Sequence, residues 1–279
     1  MTGPATRVVY TDLDGTMVGP GGCFFRDLDR GLTLEPARAL VEALDAGIQI
    51  VLVSGRTREQ LIEAARIFGA DGYIGELGSV LGWDRGRHSE LLRGAMPADL
   101  DGPPAAAITA AGVTDRLLER HPGRLEYHAP WHLAHECDVM LRGLIDVAAA
   151  EAWLAEIGFG WLRLRDNGVL PSSRSHGLVP EARPPHVYHL MPDGLSKGLA
   201  VARDLARRGY LPQDAIAIGD SASDLTMAPY VRQLHLVANG HRQPHMAALI
   251  RGLPNVTLAN AAVGLGWAAA VRAAVTGPG

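Results

Sequence analysis

Strand-like and helix-like segments alternate at both ends of the chain. Runs rich in β-branched residues predict strands at Arg7–Thr11 and Ile48–Val53, and apolar residues at helical spacing predict helices at Glu35–Ala46 and Thr57–Phe68. The later segments are a helix at Ser196–Arg208, a strand at Ala215–Ile218, a helix after Ser223, a strand at Leu234–Val237, and helices at Gln243–Ile250 and Ala261–Ala274. This alternation predicts an α/β fold in which helices cover both faces of a doubly wound parallel sheet.

The pattern changes in the middle of the chain, where Pro- and Gly-rich turns separate shorter elements. The predicted elements there are strands at Gly160–Arg165 and Val187–Leu190 and helices at Ala106–Arg120 and Asp146–Ile157. These elements indicate an inserted α+β domain. We therefore predict a core formed by residues 1–82 and 191–279, and a cap domain that determines substrate specificity at residues 83–190.

The overall composition is that of an ordinary globular protein. Hydrophobic residues make up 47% of the chain and charged residues 20%, which lies far from disordered compositions. No segment reaches about 18 consecutive apolar residues, and no signal peptide is recognisable, so we expect a cytoplasmic protein without a membrane partner. The net charge of −4 argues against a nucleic-acid partner. Nothing in the sequence implies an obligate protein partner.

Cysteine and lysine are scarce enough to be informative. Cys23 and Cys137 have no CxxC spacing, so we expect free thiols and neither a disulfide framework nor a cysteine-based zinc site. Lys197 is the only lysine among 26 basic residues. A single ammonium in an arginine-rich chain indicates a position that needs a compact point charge.

Polar residues follow three of the predicted strands, and Lys197 opens the helix before the third. In open parallel sheets, ligands bind beyond the carboxyl ends of the strands, so we expect these residues to share one site. Each motif alone also fits a turn or a helix cap, and the prediction rests on their occurring together. The segments are Asp12-Leu13-Asp14-Gly15-Thr16, Ser54-Gly55-Arg56 and Gly219-Asp220-Ser221-Ala222-Ser223-Asp224.

Four carboxylates in this set would concentrate negative charge at one edge of the sheet. The residues are Asp12, Asp14, Asp220 and Asp224. Such a cluster needs shared protons or a compensating cation. Oxygen ligands of this kind suit Mg²⁺, which keeps positions open for water and for a substrate phosphate.

The same residues can divide the work of phosphoryl transfer. A metal-screened Asp12 carboxylate can attack phosphorus and form an aspartyl-phosphate. Asp14, two residues along, can protonate the leaving oxygen and later deprotonate the attacking water. Ser54 and Lys197 can donate hydrogen bonds to the phosphoryl oxygens that the metal does not cover.

The order DLDGT, S-G-R, a distant lysine and GDxxxD resembles the four motifs of the haloacid dehalogenase superfamily. The inserted domain resembles the large α/β (C2-type) cap of its Cof-type, sucrose-phosphate and mannosyl-3-phosphoglycerate phosphatases. The resemblance implies a Rossmann-like core whose cap closes over the site. It also implies a Mg²⁺-dependent phosphatase that hydrolyses a phosphomonoester of a sugar or sugar-like metabolite through an aspartyl-phosphate.

The resemblance also assigns roles to the motif residues. It implies that Asp12 is the nucleophile, Asp14 the acid and base, and Lys197 a catalytic residue. The implied phosphate-binding residues are Ser54, Gly55 and Lys197. The implied metal residues are Asp12, Asp14 through its backbone carbonyl, Asp220 and, in support, Asp224.

The sequence departs from the family pattern at two positions. Ser223 stands where many relatives have Asn, and Leu77 stands where relatives often read E-N-G. In the cap, Arg163 and Arg165 alternate on a predicted strand. They are candidate contacts for a second anionic group of the substrate, with a solvated strand face as the alternative.

Two other functions compete with the phosphatase. A phosphosugar mutase can combine the same core with a similar cap and would require a sugar bisphosphate. A non-catalytic phosphometabolite-binding protein is less consistent with the sequence, because the aspartates and Lys197 of all the motifs are present.

Overall fold

The computed structural model describes residues 6–170 and 177–277, which divide into two compact units. Of these residues, 6–90 and 196–277 belong to the larger unit and 91–170 and 177–195 to the smaller. Sequence analysis placed the divisions at 82/83 and 190/191. Residues 83–90 therefore lie with the core, and residues 191–195 lie with the inserted unit.

Strands and α-helices follow one another along the described chain. The strands are β1 Val8–Thr11, β2 Gln49–Val53, β3 Gly72–Gly75, β4 Val80–Trp83, β5 His88–Leu91, β6 Leu125–Tyr127, β7 Val139–Gly143, β8 Leu162–Val169, β9 His186–Pro192, β10 Ala215–Gly219, β11 Gln233–Leu236 and β12 Val256–Leu258. The helices are α1 Glu35–Asp45, α2 Arg58–Phe68, α3 Pro104–Ala110, α4 Val113–Arg120, α5 Val147–Glu156, α6 Lys197–Arg208, α7 Ala222–Leu225, α8 Ala238–His241, α9 Met246–Ile250 and α10 Val263–Thr276.

The larger unit is built on a sheet with the order β12-β11-β10-β1-β2-β3-β4-β5. The pairs from β12 to β3 are parallel, and β4 runs antiparallel to β3. All four residues of β1 are buried, as expected of a parallel strand covered on both faces. The chain moves from β1 to β2 on one side and later places β10 on the other, so the strand order reverses at β1. The predicted doubly wound α/β sheet is confirmed.

Local signals fix the ends of the helices nearest the site. Thr57 caps α2 by accepting a hydrogen bond from the Gln60 N–H, and Ser196 caps α6 in the same way from the Leu199 N–H. The helix predicted at Ala106–Arg120 is wrong as a single element. Gly112, with φ of 62°, separates α3 from α4, because a left-handed residue cannot continue a right-handed helix.

The smaller unit has the predicted α+β character. Its sheet has the order β6-β7-β9-β8 and is antiparallel throughout. Alternate residues of β7 are buried, among them Leu141, and they pack with Leu154 of α5 and Leu190 of β9 in one apolar core. This alternation is what a sheet with one covered face requires.

Part of the smaller unit's interior is polar. The Asp138 carboxylate lies 3.1 Å from Nδ1 of His135 and 3.1 Å from Nδ1 of His189. Burial acts to raise the pKa of Asp138, but the two imidazoles outweigh burial and lower it. His135 therefore pairs with a buried acid.

Within residues 6–170 and 177–277, the helices are all too short or too polar to cross a bilayer.

We expect Gly82→Ala to destabilise the protein by about 1–3 kcal/mol through overpacking. Gly82 lies opposite Tyr73 on the neighbouring strand, and an added Cβ would lie 2.1 Å from the Tyr73 ring. Tyr73 is 1% exposed and cannot swing away. Gly160→Ala is the matched control, because its Cβ would meet neighbours at an ordinary 3.5 Å. Urea unfolding followed by circular dichroism measures both variants, and equal stabilities would contradict the packing argument.

His235 should make the protein less stable in mild acid. Burial on β11, together with the Arg232 charge, lowers the pKa of His235 from 6.5 to about 4. As pH falls from 6.5 toward 4, the His235 imidazole binds a proton in the unfolded chain but not in the folded protein, so the free energy of unfolding falls. His235→Gln should reduce this loss by about 1–3 kcal/mol. Denaturant titrations across this range test it, and an unchanged pH slope would exclude His235 as the cause.

Candidate active site

The carboxyl ends of β10, β1 and β2 lie side by side and carry the predicted motifs. The Asp12 N–H donates to the Ile218 carbonyl at 2.9 Å, which ties the end of β1 to β10. The Ser54 N–H donates to the Ile74 carbonyl at 2.9 Å, which ties the end of β2 to β3. Gly55 follows Ser54 in the turn before α2. The backbone hydrogen bonds of the sheet therefore place these motifs at one edge.

Lys197 joins two of the motifs through its ammonium group. Its Nζ donates to Asp12 Oδ1 at 2.9 Å and to Asp224 Oδ1 at 2.7 Å. The Lys197 side chain is 3% exposed. The next residue, Gly198, packs so closely that an added Cβ would lie 1.8 Å from the Thr226 carbonyl oxygen. The first turn of α6 therefore has no room to shift the ammonium away from the two carboxylates.

Asp224 binds Lys197 and also holds the GDSASD loop in place. Its second oxygen, Oδ2, accepts the N–H groups of Asp220 and Ser221 at 3.0 and 2.9 Å and the Ser221 hydroxyl at 2.7 Å. With Lys197 on Oδ1, four donors satisfy a carboxylate that has no solvent exposure. Asp224 therefore shapes the loop that carries Asp220, and its predicted support of a metal remains a prediction.

Asn239, to which sequence analysis gave no role, contacts the candidate site. Its Nδ2 donates to Asp220 Oδ2 at 3.0 Å and to the Gly15 carbonyl at 2.8 Å, and its Oδ1 accepts the Val263 N–H at 2.9 Å. Asn239 thereby holds the Asp220 carboxylate against the first motif. It follows the end of β11, so the rule that found the other motifs also applies to it.

Leu77 and Ser223, the two residues that depart from the family pattern, both form hydrogen bonds near the site. The Leu77 N–H donates to the Ser54 carbonyl at 3.2 Å, a backbone contact that any residue can make. Leu77 has φ of 55°, in the left-handed region that Asn adopts more readily than Leu. The Ser223 hydroxyl lies 2.9 Å from the Ser221 hydroxyl, which places it in the hydrogen-bond network around Asp224.

Three carboxylates converge in the interior of the site. Oxygen atoms of Asp12, Asp220 and Asp224 all lie within 4.8 Å of one another. Burial raises the pKa of Asp12 to about 7; the Lys197 charge opposes this rise and the Asp224 charge adds to it. Burial also raises the pKa of Asp220 well above its ordinary value, and the charges of Asp12 and Asp224 add to the rise. The single positive charge of Lys197 therefore does not balance the negative charge of three carboxylates. The set fits a hard divalent cation.

The Asp14 carboxylate lies outside this buried cluster. It forms a two-point ion pair with Arg56, with N···O distances of 2.7 and 2.6 Å, and its side chain is 55% exposed. The predicted metal contact through its backbone carbonyl remains a prediction. Sequence analysis quoted Arg56 within S-G-R but gave it no role, and nothing in the motif spacing indicates that it reaches Asp14.

Arg163 and Arg165 lie on β8 of the smaller unit and share one partner. Both guanidinium groups contact Asp193, at 2.9 and 3.1 Å, so the alternation that predicted a common face is observed. The Asp193 charge offsets part of their positive charge. Their role as substrate contacts remains a prediction.

Comparison with known proteins was made by sequence and by structure. No family model matches the chain. A phosphoglycolate phosphatase of Methanoculleus marisnigri is 28% identical over 223 residues, which is 79% of each chain. A chloroplastic endoribonuclease YBEY of Arabidopsis thaliana is 23% identical over 90% of this chain, but the match spans only 45% of that protein.

Solved structures resemble the chain over almost its whole length. Sucrose-phosphatase from Synechocystis, solved in complex with sucrose and phosphate, superposes with a TM-score of 0.64 at 14% identity, covering 97% of this chain and 98% of that one. A haloacid dehalogenase-like hydrolase from Bacteroides thetaiotaomicron superposes with a TM-score of 0.61 at 16% identity, covering 96% and 98%. At these identities the structures show the fold. The chain therefore has the fold of these hydrolases.

Lys197→Met should lower the free energy of unfolding by about 3–5 kcal/mol at pH 8 in EDTA, because it leaves Asp12 and Asp224 buried without their cation. The deficit should shrink at about pH 5, because the orphaned carboxylates can then take up protons. Arg203→Met, on an exposed position of the same helix, should cost less than about 1 kcal/mol. Denaturant titrations at both pH values test this, and similar losses for the two variants would refute the buried ion-pair argument.

Proposed function

We propose that this protein is a Mg²⁺-dependent phosphatase that hydrolyses a phosphomonoester of a sugar or sugar-like small metabolite. The observation that carries the proposal is the convergence of the Asp12, Asp220 and Asp224 carboxylates with Lys197, at the edge of the sheet where its strand order reverses. The relative named as a phosphoglycolate phosphatase supports a small phosphorylated substrate. The likeness to a sucrose-phosphatase structure supports the sugar class.

The metal would be held by the carboxylates of Asp12 and Asp220 and the backbone carbonyl of Asp14, with Asp224 in support. When bound, Mg²⁺ supplies charge that neutralises the carboxylate cluster and the phosphoryl oxygens. The negative charge of the three converging carboxylates, which the Lys197 ammonium does not balance, supports this assignment. Their oxygen donors suit Mg²⁺ better than a soft metal.

Asp12 acts as the nucleophile in this proposal. One Asp12 oxygen forms a bond to phosphorus while the bond from phosphorus to the leaving oxygen breaks, and Asp14 gives its proton to that oxygen. In the second step Asp14 takes a proton from water, the water oxygen attacks phosphorus, and Asp12 leaves as a carboxylate. Lys197 and Ser54 donate to the phosphoryl oxygens and fix the group in line.

Phosphate release is the measurement that tests this function. The panel contains sugar phosphates, sugar bisphosphates, phosphoglycolate, phosphoglycerate conjugates and nucleotides, each with Mg²⁺ and with EDTA. We expect release from a small phosphomonoester that needs Mg²⁺ and is at least about 10³-fold slower in Asp12→Asn, because the amide cannot act as the nucleophile. Circular dichroism of the variant checks its fold.

Other outcomes identify the competing functions. Isomerisation of a sugar phosphate that depends on a bisphosphate, without net phosphate release, would identify a phosphomutase. Binding of phosphorylated metabolites without turnover of any of them would identify a binding protein. Normal turnover by Asp12→Asn would refute the nucleophile assignment.

A further inference from the structure

Arg56 makes the shortest ion pair in the candidate site, with a residue that must be free to react. Its Nε donates to Asp14 Oδ2 at 2.7 Å, and a terminal nitrogen donates to Asp14 Oδ1 at 2.6 Å. This is the two-point geometry in which a guanidinium binds a carboxylate most strongly. Both Asp14 oxygens are therefore occupied, although the proposed reaction requires one of them to reach the leaving oxygen.

The backbone of Arg56 is fixed beside the predicted phosphate-binding residue. Its N–H donates to the Ser54 hydroxyl at 3.3 Å, and its carbonyl accepts the Glu76 N–H at 3.1 Å. The Arg56 side chain is nevertheless 31% exposed. The guanidinium therefore leaves a rigid turn and ends at the border between the buried carboxylates and solvent, where a ligand can reach it.

A phosphate group is a strong competitor for this guanidinium. It offers the same pair of parallel oxygen acceptors as a carboxylate and carries more negative charge, and arginine binds both groups through the same fork. Because the Asp14 side chain is more than half exposed, water can solvate its carboxylate when the pair opens. The Arg56 side chain is 31% exposed, and a phosphate that takes the place of Asp14 would keep its charge paired.

We propose that Arg56 is a phosphate-recognition residue that exchanges partners, binding Asp14 in the free protein and the phosphoryl oxygens of the substrate in the complex. The exchange frees both Asp14 oxygens once a phosphate is bound. Asp14 therefore becomes available for proton transfer only when a substrate with a leaving oxygen is present. This proposal rests on the proposed function, since it names a residue that recognises its substrate.

Equilibrium binding of inorganic phosphate in Mg²⁺, measured by calorimetry, tests the recognition step without turnover. Arg56→Gln should weaken binding at least about tenfold, the effect of losing a charge-assisted hydrogen bond. Arg56→Lys should recover part of the loss, because it restores the charge but not the fork. Arg66→Gln is the control, since Arg66 lies on the exposed face of α2 and pairs with Glu63. Phosphate affinity of Arg56→Gln equal to that of wild type would overturn the proposal.

A double-mutant cycle with Asp14→Asn tests the exchange itself. If Asp14 competes with phosphate for Arg56, then Asp14→Asn should tighten phosphate binding severalfold in the wild-type background and much less in the Arg56→Gln background. An equal gain in both backgrounds would show that Asp14 only repels phosphate, and the exchange would be wrong. Thermal unfolding of each variant in EDTA verifies that its fold is intact.

The double-mutant cycle and the phosphate-release assays test the two proposals separately, so one can be refuted while the other stands. Coupled binding without hydrolysis of any substrate would retain the exchange and refute the phosphatase. If hydrolysis requires Asp12 but Arg56→Gln leaves the phosphate affinity unchanged, the phosphatase proposal stands and the exchange is refuted.

Discussion

The buried ammonium of Lys197 is the constraint on which the rest of the site depends. It meets Asp12 at the end of β1 and Asp224 in α7, so it joins three elements of the core. Asp12 and Lys197 are 185 positions apart, and the whole smaller unit lies between them in the chain. Because an unpaired buried charge costs several kcal/mol, the two parts of the core gain this stability only when they assemble together.

Around this ion pair, every acid that could repel its neighbours has a donor of its own. Asp224 is satisfied by its own loop, and Asp220 by Asn239. The carbonyl of Asp12 accepts from Thr11 Oγ1, which in turn accepts from the indole N–H of Trp267 at 2.8 Å. Helix α10 therefore supports the backbone of Asp12 through Trp267 and Thr11. Such second contacts fix the directions of the carboxylates that a metal would need.

Asp14 differs from the other acids in being more than half exposed and in pairing with Arg56. Buried groups in this site have one arrangement, because moving them would strand a charge in the interior. The Asp14–Arg56 pair lies closer to solvent, with side chains 55% and 31% exposed. The site thus combines buried groups, suited to holding a metal and a nucleophile, with one ion pair that is more exposed. This division matches the separate tasks of the proposed reaction.

Element types, most helix ends and the motif positions were predictable from the sequence, because they depend on local periodicity, on caps such as Thr57 and Ser196, and on the rule that ligands bind beyond strand ends. The strands β4, β5, β6, β7 and β12 were not, and four of these five have only three or four residues, which gives little room for a periodic pattern. The sequence also did not predict which side chains contact Asp14, Asp220 and Arg163. Those contacts join side chains remote in sequence, whose distances only the assembled tertiary structure sets.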